Sequence, residues 1–273
     1  MEVLGSIDFR DRHHKNTNMK TKKLLGIFFL FLCTITLVSC GDDEKQEIYS
    51  LSFEKGYYER PLLGAKDIPV RGGNRDYTVT VQNTDVLSIN IDLSSPIGMG
   101  NLVVEPKQKG ETTVTVKDNV TNETVNLKIK IVDSYLNLKV AHPAQVPYSG
   151  GENLFFINNS DRDFYLFDEK MEKKECTGNY QFLIKNSTCY MILNFDKELN
   201  DKSTYEYNIS NTSERMFTLI EILLGVDWNM KADLINRSTR SASPVTMNAV
   251  DTETNLTQYF VAGSNDIPEN ILD

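Results

Sequence analysis

Apolar and polar residues alternate along a stretch that decides the fold. It reads YTVTV at 77–81, LSINI at 87–91, TTVTV at 112–116 and VNLKIKI at 125–131. Because successive side chains of a strand point to opposite faces, each segment has one apolar and one solvated face. Such strands pair antiparallel and stack their apolar faces. With Gly- and Asn-containing turns between them, they predict an all-β sandwich.

The stretch also resembles the bacterial Ig-like domain family. The resemblance is carried by YTVTV at 77–81, DVLSI at 85–89, NLVVEP at 101–106 and KGETTVTV at 109–116. The chain departs from the family by lacking the usual Ala-Thr-Val after Asp85. The resemblance implies an Ig-like β-sandwich over residues 51–140 and the role of a spacer or adhesive module, since members are not enzymes as a rule.

The second half of the chain has a different composition. The Pro- and Gly-rich segment HPAQVPYSGG predicts a hinge over residues 141–152. Aromatic strands follow, so residues 153–273 are expected to form a second antiparallel β domain, either a sandwich or a barrel. One helix is predicted at 213–225, with Ser213 as its N-cap and Gly225 as its end. The fold class is therefore mainly β with one helix.

The beginning of the chain carries targeting signals. A lysine-rich start at Met19 precedes an uncharged apolar run at 24–38 that is too short to span a bilayer comfortably. The following Leu37-Val38-Ser39-Cys40 resembles the lipobox of bacterial lipoproteins. This resemblance implies that residues 19–39 are a signal peptide, that the chain is cut before Cys40, and that Cys40 is lipidated. Residues 1–18 are interpreted as a mis-called upstream extension.

Residues 40–50 are predicted to form an acidic tether. The run GDDEKQE at 41–47 resembles the export signal that sends Bacteroidetes lipoproteins to the outer face of the outer membrane. A solvated linker is the other interpretation, since charged stretches bury too little apolar surface to fold. The predicted location is the outer membrane, with the protein anchored by lipid and exposed at the cell surface.

Net charge and cysteine usage agree with this location. The chain carries 29 basic and 38 acidic side chains, and removing the 6 basic and 3 acidic residues before Cys40 leaves a net charge of −12. Such a body repels phosphate backbones, which disfavours nucleic acid as a partner. Cys176 and Cys189 remain, and a disulfide between them is one alternative. A hairpin turn at Asn186-Ser187 would separate them by about 26 Å, too far for a bond.

Catalytic and metal-binding patterns are sparse. His142 is the only histidine after Cys40, so no zinc site of ordinary ligand spacing is expected. No nucleophile elbow or phosphate-binding glycine loop is present. The chain is therefore expected to be neither an enzyme nor a cofactor-binding protein. A pair of carboxylates for glycoside hydrolysis stays an alternative.

The candidate ligand-binding residues are Asp227, Trp228 and Asn229. A Trp between these polar neighbours suits stacking on a sugar ring, while the alternative is a Trp that fills the edge of the core. The functional hypothesis is a non-enzymatic surface lipoprotein whose Ig-like stalk presents a C-terminal β domain to a glycan or protein partner. This arrangement is similar to accessory glycan-binding lipoproteins of Bacteroidetes nutrient-uptake systems. The alternatives are a fimbria-like subunit that polymerises by strand donation and the carboxylate-dependent hydrolase.

Overall fold

The structure is a computed structural model that describes residues 47–172, 174–228 and 245–272. The signal peptide, Cys40 and Asn229 lie outside the described residues. About 49% of the described residues are in strands, which confirms the mainly β prediction. Residues 48–273 form one compact unit.

Seven strands form two sheets that pack as a sandwich. Strand β1 pairs in parallel with β7, and the remaining ladders are antiparallel. The sheet orders are β1-β7-β6-β3 and β2-β5-β4. The strands are β1 (Tyr57–Pro61), β2 (Ile68–Pro69), β3 (Tyr77–Val81), β4 (Leu87–Asp92), β5 (Asn101–Pro106), β6 (Gly110–Asp118) and β7 (Thr124–Val132).

The sandwich core is built by the apolar positions of the alternating pattern. Val114 and Val116 of one sheet and Leu87 and Leu102 of the other are completely buried in one cluster. The intervening Thr and Lys positions are more exposed, as the period of two requires. The alternation therefore predicted both the strands and the face that each one buries.

Eight further strands close into an antiparallel barrel in which each strand pairs with its neighbours along the chain. The last strand, β15, pairs with the first, β8. The strands are β8 (Tyr135–Val140), β9 (Asn153–Ile157), β10 (Asp163–Phe167), β11 (Lys174–Lys185), β12 (Thr188–Leu199), β13 (Lys202–Asn208), β14 (Thr246–Asp251) and β15 (Thr257–Ala262).

Large side chains fill the barrel interior. Phe156, Phe164, Tyr207 and Phe260 are almost completely buried and belong to one cluster with residues of the helix. An eight-stranded barrel is just wide enough for its interior to be filled by side chains. This barrel is therefore a packed core.

The helix α1 (Glu214–Leu224) has the predicted ends. The Ser213 hydroxyl accepts the backbone N–H of Met216, and Gly225 closes the helix in the left-handed conformation at φ 63°. The Arg162 guanidinium donates to the backbone oxygen of Leu224, so it satisfies the helix C-terminus, and it also donates to the side-chain oxygen Oδ1 of Asn158 at 2.8 Å. Within the described part of the chain, no helix has the length and apolarity needed to cross a membrane.

The boundary between sandwich and barrel differs from the prediction. The sandwich was expected to reach residue 140, but β8 pairs with β9 and β15 and is a barrel strand. The predicted hinge at 141–152 is a loop between two barrel strands, and its Tyr148 is buried in the barrel core. Alternating apolar and polar residues identify a strand but not the strands with which it pairs. One partner of β8 is β15, which lies about 120 residues later in the chain.

The hairpin turn at Asn186-Ser187 is present, with φ values of 51° and 61° at the two residues. Ile184 pairs with Cys189 and Leu166 pairs with Cys176. This strand register keeps Cys176 and Cys189 apart, and they form no disulfide with each other.

The segment after β15 returns to the sandwich. Ile267 and Leu272 pack with Val132, Phe155 and Phe167 in a third apolar cluster on the outside of the barrel. Lys55 forms an ion pair with Glu269, and Lys130 donates to the backbone oxygen of Leu272 at 2.8 Å. This segment therefore holds the sandwich and the barrel against each other.

Candidate functional site

A pocket of about 180 Å³ lies where the sandwich meets the barrel, and we call it the junction pocket. Four segments line it: residues 61–66 after β1, residues 135–137 at the start of β8, Leu219 and Leu223 of α1, and residues 262–266 after β15. Each segment comes from a different part of the chain. The pocket exists only because the sandwich and the barrel pack together.

The walls of the junction pocket are mainly aliphatic. Leu63 is partly exposed at the pocket, and Leu219 and Leu223 present the half-buried side of α1. A Cβ placed on Gly64 would lie 3.6 Å from Leu223 Cδ2, so the sandwich loop contacts the helix closely. The backbone N–H of Leu63 donates to Ser134 Oγ at 3.1 Å, which fixes the loop beside β8.

Asn137 places an unpaired polar group in this apolar lining. Its side chain is 5% exposed, and its Oδ1 accepts the backbone N–H of Asn265 at 3.2 Å. This bond identifies the other atom as Nδ2, the amide donor. Nδ2 is buried and has no hydrogen-bond partner among the described residues. Buried donors are normally paired, so this amide is an unsatisfied donor in the pocket wall, which an acceptor from a ligand reaches once the neighbouring side chains move.

The crossing of the C-terminal segment over β8 depends on Gly263. Its N–H donates to the backbone oxygen of Asn137 at 2.9 Å. A Cβ at this position would lie 1.8 Å from Asn137 Oδ1, closer than any side chain allows. Glycine therefore permits the close approach that positions the Asn137 amide.

One ion pair and one phenol complete the pocket. Lys66 Nζ lies 2.7 Å from Asp266 Oδ1, with both side chains partly exposed to solvent. Burial, and then the Asp266 carboxylate, raise the pKa of Tyr135 above its ordinary value, so its hydroxyl stays protonated at neutral pH. The pocket thus combines apolar walls with a few polar groups, which is typical of ligand-binding sites.

A second, more open cleft of about 620 Å³ lies on the outer face of the four-stranded sheet. Its charged groups are already paired: Glu111 with Lys128 at 2.8 Å, and Lys109 with Asp133 at 2.7 Å. Tyr57 lines the cleft and donates to Glu59 at 2.6 Å. Because these pairs would have to be broken for binding, the junction pocket is the better candidate.

Trp228 does not face solvent, which corrects the sugar-stacking prediction. It is 5% exposed, and its ring packs edge-on against Phe217 and Phe182, with centroids at 5.0 and 5.7 Å. Its Nε1 donates to the carbonyl oxygen of Phe217 at 3.2 Å. Trp228 therefore fills the core beside α1. Asp227 is exposed, and the two residues do not form a common surface for a ligand.

Few acidic side chains line the two pockets. The described residues contain no group of three or more His, Cys, Asp and Glu side chains that could hold a metal ion. Asp266 is the carboxylate in the junction pocket and Glu111 the one in the outer cleft. His142 is exposed in the loop between β8 and β9.

Sequence reasoning missed the junction pocket. Leu219 and Leu223 belong to the predicted helix, but their spacing shows only that they share a face with the core residues. No local pattern singles out Asn137, because its significance depends on Asn265, which is 128 positions away.

Comparisons with known proteins give no family. No protein-family model matches the chain, and no curated protein matches it. Among solved structures, domains 5–6 of the S-layer protein SbsC share 12% identity and a TM-score of 0.26, over 60% of this chain and 90% of that one. Domains 4–9 of the same protein share 11% identity and a TM-score of 0.27, over 79% of this chain and 31% of that one. The chain is thus established as a mainly β protein in which a sandwich and a closed barrel share one compact unit.

Proposed function

We propose that this chain is a non-enzymatic lipoprotein of the bacterial cell surface that binds a protein partner in the junction pocket. The acyl chains on Cys40 would hold it in the outer membrane, and the partner would insert one apolar side chain between α1 and the sandwich loop. The unpaired amide of Asn137 in an aliphatic pocket is the observation that carries the proposal.

The size of the pocket favours a single side chain as the group that is bound. An apolar cavity of about 150 Å³ admits benzene, and the junction pocket has about 180 Å³. This volume suits a leucine, methionine or phenylalanine side chain. An oligosaccharide would extend far beyond it and would find few partners for its hydroxyl groups on the leucine walls.

The polar groups favour a peptide as the carrier of that side chain. A peptide carbonyl is a hydrogen-bond acceptor within a few ångströms of its own side chain, which matches the Asn137 amide beside aliphatic walls. Lys66 and Asp266 add a donor and an acceptor that are partly exposed. Apolar anchors that fill pockets surrounded by polar groups are the usual basis of specificity in protein interfaces.

This proposal changes the role of the sandwich. In the sequence-based hypothesis it was a stalk, but here residues 61–66 contribute walls of the site. The fimbria-like alternative gains no support from the barrel, because the described barrel strands close on themselves and leave no unpaired barrel edge. The hydrolase alternative needs two facing carboxyl groups, and each described pocket has one carboxylate in its lining.

A defined probe tests the pocket. We expect N-acetyl-leucinamide to bind the purified protein with a dissociation constant on the order of 1 mM, measured by shifts of the Leu219, Leu223 and Asn137 side-chain signals in NMR titrations. N-acetyl-glycinamide, which lacks the side chain, should bind at least tenfold more weakly. Leu223→Ala should weaken binding of the leucine probe, whereas Ile222→Ala, on the adjacent exposed helix position, is the matched control.

Asn137→Asp separates the amide from the rest of the pocket. It keeps the oxygen that accepts the Asn265 N–H but replaces the unpaired donor by an oxygen, so we expect about a tenfold loss of affinity for the leucine probe. Equal affinity in this variant, or binding of a glycan that survives Leu223→Ala, would contradict the proposal.

The anchor is tested separately by mass spectrometry of the protein isolated from membranes. We expect an acylated Cys40 as the first residue. A peptide that runs from residue 38 to residue 41 without a break would exclude both the cleavage and the anchor.

A further inference from the structure

The end of the sandwich away from the barrel carries exposed apolar side chains. Strand β7 runs from the turn at 118–123 to Val132, close to the start of β8, so this turn lies at the far end. Ile48, Tyr49, Ile97 and Val120 are the large apolar residues exposed here. A folded sandwich does not need them for its core.

Hydrogen bonds place these residues together. The N–H of Tyr49 donates to Asn74 Oδ1, and Asn74 Nδ2 donates back to the Tyr49 carbonyl oxygen, each at 3.0 Å. The N–H of Asn74 donates to Asp118 Oδ2 at 2.7 Å, and Asp118 Oδ1 accepts the N–H of Val120 at 2.9 Å. The beginning of the body and the 118–123 turn are therefore adjacent.

Ile97 is held in a defined position although it is 86% exposed. Arg75, next to Asn74 in the chain, donates to the carbonyl oxygens of Leu93 at 2.7 Å, Ser95 at 3.0 Å and Gly98. The Ser95 hydroxyl donates to the Ile97 carbonyl oxygen at 2.9 Å. The loop at 93–100 holds no charged residue. Ile97 is therefore the apolar tip of an ordered, uncharged loop.

The chain before this end limits what can cover the tip. Cys40 lies eight positions before Ile48, so the tether reaches at most about 29 Å when fully extended. The N–H of Tyr49 binds the sandwich residue Asn74. If Cys40 is embedded in lipid, the end of the sandwich that carries Ile97 cannot leave the vicinity of the membrane.

We propose that this end of the sandwich rests on the lipid surface and that Ile97 inserts into the interfacial region of the bilayer. The inference rests on the proposed lipid anchor at Cys40. The tether keeps the tip within reach of the surface, so a contact too weak to hold a free protein is sufficient here. Since the body carries a net charge of −12 after Cys40, zwitterionic headgroups are the expected surface.

The test uses the lipidated full-length protein, purified from membranes and reconstituted in phosphatidylcholine vesicles brominated high on the acyl chains. The variant Ile97→Trp places an indole at the tip, and Leu256→Trp is the matched control on an exposed barrel turn. Trp228 is buried and gives the same background in both. Because interfacial side chains lie within about 5–10 Å of the acyl boundary, we expect the indole at position 97 to be quenched roughly threefold more strongly.

Hydrogen exchange gives a second measurement on the unsubstituted protein. The amides of Ser95, Ile97 and Gly98 should exchange more slowly on vesicles than in detergent, while those of the barrel turn at 251–256 should not change. Equal quenching of the two indoles in vesicle-bound protein, with no added protection at 94–98, would overturn the insertion and leave the anchor intact. Protein that does not sediment with vesicles would overturn the anchor and the insertion together.

Discussion

The sandwich and the barrel fill their cores with different side chains. Among the described residues, 1 of the 13 buried members of the sandwich core is aromatic, compared with 10 of the 24 in the barrel core. Two stacked sheets lie about 10 Å apart, a gap that branched aliphatic side chains fill. A closed barrel encloses a wider space, which here takes rings and one face of a helix. The shape of the space determines which residues fill it.

The comparison predicts that the barrel core is the more sensitive to loss of a side chain. Phe156 is completely buried and contacts the rings of Phe164, Tyr180 and Phe182. Phe156→Ala should lower the free energy of unfolding by about 3–5 kcal/mol, because it creates a cavity and removes the ring contacts. Urea denaturation measures the change. Phe156→Leu should cost clearly less, and equal losses would contradict this account of the core.

A substitution at the start of the C-terminal segment, which holds the two regions together, should have an intermediate effect. Gly263→Ala places a methyl group against Asn137 Oδ1, so we expect a loss of about 1–3 kcal/mol. If the C-terminal segment is displaced, the sandwich and the barrel should unfold in separate steps in calorimetry. Gly56→Ala is the control, since a Cβ there meets nothing within 4 Å. A single transition of unchanged midpoint for Gly263→Ala would disprove this coupling.

In the sandwich, the loss of one buried methyl group should lower the free energy of unfolding by less than the two preceding substitutions do. Ile129 of β7 is completely buried in the aliphatic core. Ile129→Val should reduce the free energy of unfolding by about 1 kcal/mol. Urea denaturation detects this change, and an effect as large as that of Phe156→Ala would show that the two cores do not differ as described.

The smallest expected effect on the free energy of unfolding comes from an aspartate in each of two similar turns, one in the sandwich and one in the barrel. Burial by itself would raise the pKa of Asp118 and of Asp251. Hydrogen bonds from neighbouring groups lower each pKa by more than burial raises it, so both pKa values lie below the ordinary 3.8. A folded-state pKa below the unfolded value stabilises the protein above about pH 4, and this contribution disappears as the pH falls through the folded-state pKa.

The measurement is urea denaturation between about pH 5 and pH 2. We expect Asp118→Asn and Asp251→Asn each to flatten the acid side of the stability profile, by up to about 1 kcal/mol. Asp161→Asn, at an exposed position for which no such set of backbone bonds exists among the described residues, is the control. A profile as steep as that of the unsubstituted protein in both variants would contradict this role of the turns.

Local structure was predictable from the sequence where short-range chemistry decides it. The alternation at 77–131, the ends of α1 at Ser213 and Gly225, and the turn at Asn186-Ser187 depend on neighbouring residues, and each is present in the structure. The turn also fixes the register that pairs Ile184 with Cys189. In these cases the chain within about ten residues holds the necessary information.

Long-range packing explains what was not predictable. Trp228 has polar neighbours in the chain, but the rings that cover it belong to β11 and α1. Strand β8 has the pattern of any strand, and its membership in the barrel depends on β15. The junction pocket combines four distant segments, so neither its leucine walls nor the unpaired amide of Asn137 has a signature in the sequence.

The two aspartate turns have a consequence for how this protein could be rebuilt. The turns 118–123 and 251–256 are built in the same way. In each, the carboxylate of the first residue accepts hydrogen bonds from the backbone N–H groups of the third and fourth residues, and the fifth residue is an asparagine with positive φ. Since the aspartate and the asparagine set the same backbone path in both turns, the six-residue loops should be interchangeable without a shift of either hairpin, provided that the aspartate at position 118 keeps its bonds from Asn74. A peptide tag therefore fits better in the 251–256 turn, because a tag at 118–123 would disturb the bonds from Asn74 to Asp118 and from Leu51 to Glu123.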